Sequence, residues 1–169
     1  AAQYMVGEGA LETLGLDLGA GRDFEAGEYM SSDVLSNVED VQGLTSSVIL
    51  SKAAADRLFP EGGAVGKTVY MANIPLTIVG VVDTLLRPNL MDNNRTQSMI
   101  FPIRMNFNNG GRYVIRVADP SRRAEVLDQA LAALDDNDPN RLVWRQRSFE
   151  ESRARYFAND RDMIGLLLL

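Results

Sequence analysis

The spacing of apolar positions along the chain predicts strands and helices in mixed order. Gln3 to Val6 reads as a short strand, and Ala10, Leu11 and Leu14 then fall at helical spacing before Gly15 ends the turn. Leu16 to Phe24 is interrupted by glycines and acidic residues. Glu25 to Thr45 is polar, with Tyr29, Val34, Leu35 and Val38 as its only anchors, and predicts a long loop. Ser47 to Leu50 is a β-branched apolar run, and Ser51 is placed to cap a helix from Lys52 through Phe59 with Ala55, Leu58 and Phe59 on one face. Pro60 and the Gly62-Gly63 pair stop it. Lys67 to Ala72 alternates, Asn73 to Pro75 turns, and Leu76 to Val82 is almost continuously apolar, which predicts a hairpin whose second strand is buried on both faces.

The second half is more regular. After an irregular stretch from Thr84 to Thr96 comes a strand at Ser98 to Ile103 and a polar turn at Asn106 to Gly111. Arg112 to Ala118 and Arg141 to Arg147 both alternate like half-buried strands. Between them, Asp119 and Pro120 start a helix on which Leu127, Leu131 and Leu134 share a face. Strand, helix and strand from Arg112 to Arg147 therefore predict a βαβ-type unit. Ser148 and Glu151 are spaced as a capping box for a last helix through Phe149, Tyr156 and Phe157. The fold class expected is α+β with a mixed sheet.

At 169 residues with 46% apolar and 24% charged positions the chain has ordinary globular composition. Seventeen basic against twenty-three acidic residues leave a net charge of -6. That balance opposes broad attraction to phosphate backbones or anionic headgroups, and nucleic acid is not expected as a partner. Cysteine and histidine are both absent. Disulfides, thiolate metal sites, the common zinc sites and Ser-His-Asp or Cys-His nucleophile systems are thereby excluded, leaving carboxylate-only mechanisms. The first residue is Ala1 with no charged-then-apolar leader, which reads as a fragment or processed form. Met163 to Leu169 is an apolar run far shorter than the roughly 20 residues that span a bilayer, and reads as the start of a span.

Several short patterns imitate functional motifs. Gly62 to Thr68 (GGAVGKT) resembles a phosphate-binding loop, but Glu61 stands where the first glycine is needed, and strand character follows where a helix must open. Gly7 and Gly9 imitate a dinucleotide fingerprint whose third glycine is replaced by Glu12. Asp136, Asp138 and Asn140 have the spacing of a calcium loop, but Arg141 and Arg147 occupy the positions of its glycine and its glutamate. Asp17, Asp23, Glu25 and Glu28 are the candidates for paired carboxylate chemistry, weighed against ordinary solvated acids. Arg145, Arg147, Arg153 and Arg155, with Trp144, form the candidate contact group, facing lipid headgroups or an acidic partner, or else making a salt-bridged surface.

Ala10 to Phe24 (ALETLGLDLGAGRDF) and Val48 to Val82 (VILSKAAADRLFPEGGAVGKTVYMANIPLTIVGVV), with the closing approach to an apolar segment, resemble the extracytoplasmic core domain of MacB and FtsX type ABC-transporter permeases. The similarity lies in a "TLG" helix end, a Gly-Arg-Asp-Phe turn, a helix ending in "LFP", a "VGK" turn and an "IVGVV" strand. It implies a porter-like βαβ part with an inserted β-rich part: residues 1–14 as opening strand and helix, 15–110 as the insertion, 111–147 as the porter-like unit, and 148–169 as a helix leading toward a membrane segment. Half of the porter part is then expected to lie outside this chain. In the motifs themselves, Gly21, Gly66 and Gly80 suit positive backbone angles or close strand contact, Arg22 suits a carboxylate across a turn, and Phe24 and Phe59 suit the core beneath those turns.

The resemblance implies a non-catalytic domain in the periplasm, or on the outer face of the cell membrane, attached through flanking helices. It implies coupling to a cytoplasmic ABC ATPase, separate or fused, with a second permease copy and a periplasmic adaptor as partners. No catalytic residue, cofactor or metal is expected. The alternatives are a freestanding ligand- or peptide-binding module using Trp144, Arg145 and Arg147, and a secreted hydrolase using the Asp17 to Glu28 carboxylates.

Overall fold

The computed structural model describes residues 2–33, 46–71, 73–86, 96–106, 111–140 and 142–158. The leucine run at 163–169 and most of the expected loop stretches (34–45, 87–95 and 107–110) lie outside these. The chain divides into two compact units, Ala1–Arg116 and Val117–Leu169.

The first unit is built on the apolar runs at its centre. β4 (Ser46–Ser51) lies between β7 (Ser98–Arg104), antiparallel to it, and β6 (Ile74–Val82), parallel to it. Beyond β7, β1 (Ala2–Val6) adds a parallel strand, and β3 (Met30–Ser31) pairs parallel with the last residues of β7. Beyond β6, one edge is shared by β5 (Thr68–Met71) and β2 (Leu18–Gly21), both antiparallel to it. The result is a seven-stranded mixed sheet in the order β1-β7-β4-β6-β2 with β3 and β5 off that path, in the α+β class expected. The hairpin from β5 to β6 also forms, and Asn73 takes the positive φ of 70° that its tight turn requires.

Alternation in β4 divides the core between the two faces of the sheet. Val48 and Leu50 point with Leu76, Ile78, Phe101 and Ile103 toward α2 (Lys52–Leu58), while Ile49 points with Val79, Val82 and Ile100 toward Phe24 and α1 (Ala10–Leu14). β6 is buried on both faces, as its continuous apolar run predicts; each fully buried Leu or Ile contributes about 1.5–3 kcal/mol. α2 meets the sheet through Ala54 and Ala55, whose small side chains allow close approach. Leu58, expected on that face, is exposed instead.

Ser51 does not cap α2 through its side chain. Its hydroxyl donates to the Thr96 carbonyl at 2.7 Å and accepts from the Ser98 amide at 2.9 Å, because β4 and β7 run side by side there and bury it. A bulge between Val48 and Ile49 sets Ile49 opposite Gly80, so Val79 and Gly80 face the same side. Gly80 is required there: a Cβ would lie 2.5 Å from the Arg22 carbonyl.

The second unit contains α3 (Arg123–Asn137) and α4 (Phe149–Tyr156), and no residue of either helix is buried. Asp119 receives the Ser121 amide at 2.9 Å ahead of α3, and Ser148 and Glu151 close the capping box of α4, both as predicted. The two strands expected around α3 are absent: 112–118 and 142–147 carry no strand pairing among their described residues. Alternation specifies which side chains share a face, but a strand exists only when a neighbour supplies the ladder. No described helix is long and apolar enough to cross a membrane.

Candidate functional site

Two polar clusters brace the first unit. In the Gly-Arg-Asp-Phe turn, Gly21 takes φ 77° and the Arg22 amide bonds the Val79 carbonyl at 2.9 Å. The Arg22 guanidinium then grips the Glu28 carboxylate with two bonds, 2.7 and 2.9 Å. Glu28 also accepts from the Glu25 amide at 2.7 Å and from the Ser47 hydroxyl, tying a short 3₁₀ turn at Ala26–Glu28 to the start of β4. Arg22 therefore meets a carboxylate across a turn, as its position suggests. Phe24 is buried below it and packs edge-on against Tyr29, with ring centroids 5.9 Å apart.

The second cluster was not foreseen. Arg104, at the end of β7, bonds Glu8 through Nε at 2.8 Å and lies over the Tyr29 ring at 5.3 Å. Glu8 and Arg104 are 96 positions apart, so only the parallel pairing of β1 with β7 brings them together.

This clasp bears on the carboxylate chemistry considered for Asp17, Asp23, Glu25 and Glu28. The Arg22 hydrogen bonds, opposed by partial burial and aided by Ser47 and the Glu25 amide, hold the Glu28 carboxyl at about 2. Glu28 is thus ionised far below neutral pH and unsuited to donating a proton there. Asp23 spends Oδ1 on the Phe24 amide at 2.7 Å. The clasp is a structural device.

The Gly62 to Thr68 turn is structural as well. Gly66 has φ 83° and bonds the Ile78 carbonyl at 2.7 Å, while Lys67 Nζ sits 4.5 Å from the Phe59 ring centroid and 3.2 Å from the Gly62 carbonyl. β5 begins at Thr68, where a phosphate loop would need a helix.

The five candidate contact residues all lie in the second unit, on two of its surfaces. Trp144 is 88% exposed and Leu142 is 80% exposed. Trp144 borders an open groove of about 560 Å³ with Leu131, Leu134 and Asp135 of α3 and with Val143 and Gln146. Leu131 and Leu134, whose spacing puts them on one face of the helix, form one wall of this groove. Arg145 is exposed on the same segment and Arg147 is half-buried. Arg153 and Arg155 occupy the last turn of α4. None of these four arginines is ion-paired among the described residues.

Residues 2–133 match the model of one family, described as the MacB-like periplasmic core domain. The chain belongs to that family. It is a periplasmic, extracytoplasmic domain of an ABC-type transporter permease. Among solved structures, the MacB-like domain is similar to the periplasmic region of MacB from Actinobacillus actinomycetemcomitans, at 20% identity and TM-score 0.49, covering 79% of this chain and 55% of that one. It is also similar to the extracellular domain of the noncanonic ABC-type transporter YknZ from Gram-positive bacteria, at 20% identity and TM-score 0.47, covering 80% and 63%. The chain thus spans 55% and 63% of the lengths of these two structures. No curated protein matches the MacB-like chain.

Proposed function

We propose that this domain is non-catalytic and couples ATP hydrolysis in a cytoplasmic ABC ATPase, separate or fused, to movement and docking outside the membrane. The observation that carries the reading is the family match across residues 2–133. In this reading flanking helices attach the domain to the membrane, two permease copies move against each other as rigid bodies, and a periplasmic adaptor or the cargo meets the exposed surface around Trp144 and Arg145. Residues 1–14 lead into the inserted part at 15–110, residues 111–147 contribute to the porter-like part, and 148–169 lead toward the bilayer.

The test uses the whole permease, reconstituted with its ATPase. This chain has no cysteine, so a cysteine placed at Trp144 in each copy is the only one within it. Coupled motion predicts a cross-linking yield between copies that changes several-fold between the nucleotide-free and vanadate-trapped states, and transport that stops once the copies are linked. An identical yield in both states, with transport unaffected by the link, would overturn the proposal.

A further inference from the structure

The last turn of α4 carries a different signal from the Trp144 groove. Over residues 142–162, up to the apolar run, five arginines stand against four acids, a local charge of +1 in a chain of -6. The two glutamates of α4 are already engaged toward the start of the helix. Glu150 accepts from Arg123 at 2.9 Å, and the Glu151 carboxylate closes the capping box on the Ser148 amide at 2.8 Å. Arg153 and Arg155 therefore project their charge from the other end, without an ion pair among the described residues.

Aromatic side chains flank that charge. Phe149, Arg153, Tyr156 and Phe157 fall at helical spacing along one stripe. Phe149 is 87% exposed, and Tyr156 and Phe157, which meet edge-on with centroids 5.2 Å apart, are also exposed. Arginines near the C-terminus favour the helix dipole, by about 0.3–1 kcal/mol each, but that effect gives no reason for the exposed rings. A basic side chain beside a tyrosine and exposed apolar rings has the composition of a membrane-water interface. Six positions beyond Phe157 the apolar sequence Met163 to Leu169 begins.

We propose that the last turn of α4 rests in the headgroup layer of an anionic leaflet, with the Arg153 and Arg155 guanidinium groups on lipid phosphates and Tyr156 and Phe157 at the acyl boundary. The proposal rests on the extracytoplasmic permease reading above and names one partner of that domain. Attraction to an anionic leaflet then comes from Arg153 and Arg155 and not from the chain's net charge of -6.

The test places an environment-sensitive fluorophore on Tyr156→Cys in the whole permease, in nanodiscs of phosphatidylcholine alone or mixed with phosphatidylglycerol, each doped with a headgroup-nitroxide lipid. Expected is quenching several-fold stronger with phosphatidylglycerol. R153Q/R155Q should bring the quenching in phosphatidylglycerol down to the phosphatidylcholine level, and R153K/R155K should restore the difference. Equal quenching in both lipids, or quenching unchanged in R153Q/R155Q, would overturn the headgroup contact. Salt-sensitive quenching that follows an added acidic protein rather than the lipid would assign the arginines to a protein partner and overturn it equally. The cross-linking test reports motion and this one reports headgroups, so either reading can fail while the other stands.

Discussion

Glu28→Gln keeps the volume of the side chain and removes its charge, which isolates the electrostatic share of the clasp between the Gly-Arg-Asp-Phe turn and β4. The Glu28 side chain is 19% exposed and its carboxyl is held at about 2, against an ordinary value of 4.5. If the whole shift appeared as folding linkage it would be worth about 3 kcal/mol at neutral pH. Arg22 is 45% exposed and partly screened by water, so the expected loss is about 1–2 kcal/mol. The folded-state value lies below the unfolded one. The contribution is therefore complete above about pH 4.5 and is lost as the pH falls toward about 2. Trp144 is the only tryptophan and lies in the other unit, so unfolding of the sheet should be followed by urea titration with circular dichroism or by amide exchange in β4 and β6. Wild type should lose stability across that acid window and Glu28→Gln should lose much less. Equal stability of the two proteins at neutral pH, or identical pH slopes, would refute the argument.

Gly80→Ala drives a Cβ into the Arg22 carbonyl, backbone that has no rotamer to yield, and should cost about 1–3 kcal/mol by urea denaturation. Ser51→Ala leaves the Ser98 amide without its acceptor and should cost about 1–3 kcal/mol; amide exchange should quicken at Ser98, not at the start of α2. The amides of α3, a helix without a buried residue, should exchange at least about a hundredfold faster than those of β4 and β6, and should gain protection when a partner fills the groove at Trp144.

Where the sequence was legible, one short stretch contained both the pattern and the partner that satisfies it. β6 declares itself because Leu76 to Val82 needs apolar neighbours on both sides. Asp119, Ser148 and Glu151 declare their caps because donor and acceptor lie within three residues. β2 does not: Leu18–Gly21 has no alternation and is exposed, and it is a strand only because β6 offers it an edge. The converse holds for 112–118 and 142–147, where alternation is clear and no described neighbour completes a ladder. The clasp shows the same division. A carboxylate for Arg22 across its turn was foreseeable, whereas the Ser47 hydroxyl and the Glu8–Arg104 pair depend on strand order.

The two units differ in what they bury. Buried aliphatic side chains and bonded clasps hold the sheet, so forces applied to it are transmitted with little deformation. The second unit leaves Trp144 and Leu142 in water, where they add almost nothing to its folding but keep their full capacity for burial. Covering one tryptophan removes about 150–250 Å² from water, worth roughly 4–6 kcal/mol at about 25 cal/mol per Å². Association costs of about 4–15 kcal/mol absorb most or all of that, so an anchor of this size needs neighbouring contacts and yields a reversible complex rather than a permanent one. Reversibility is what the proposed coupling role requires, because in that role a partner held too tightly would arrest the movement to be driven by ATP hydrolysis.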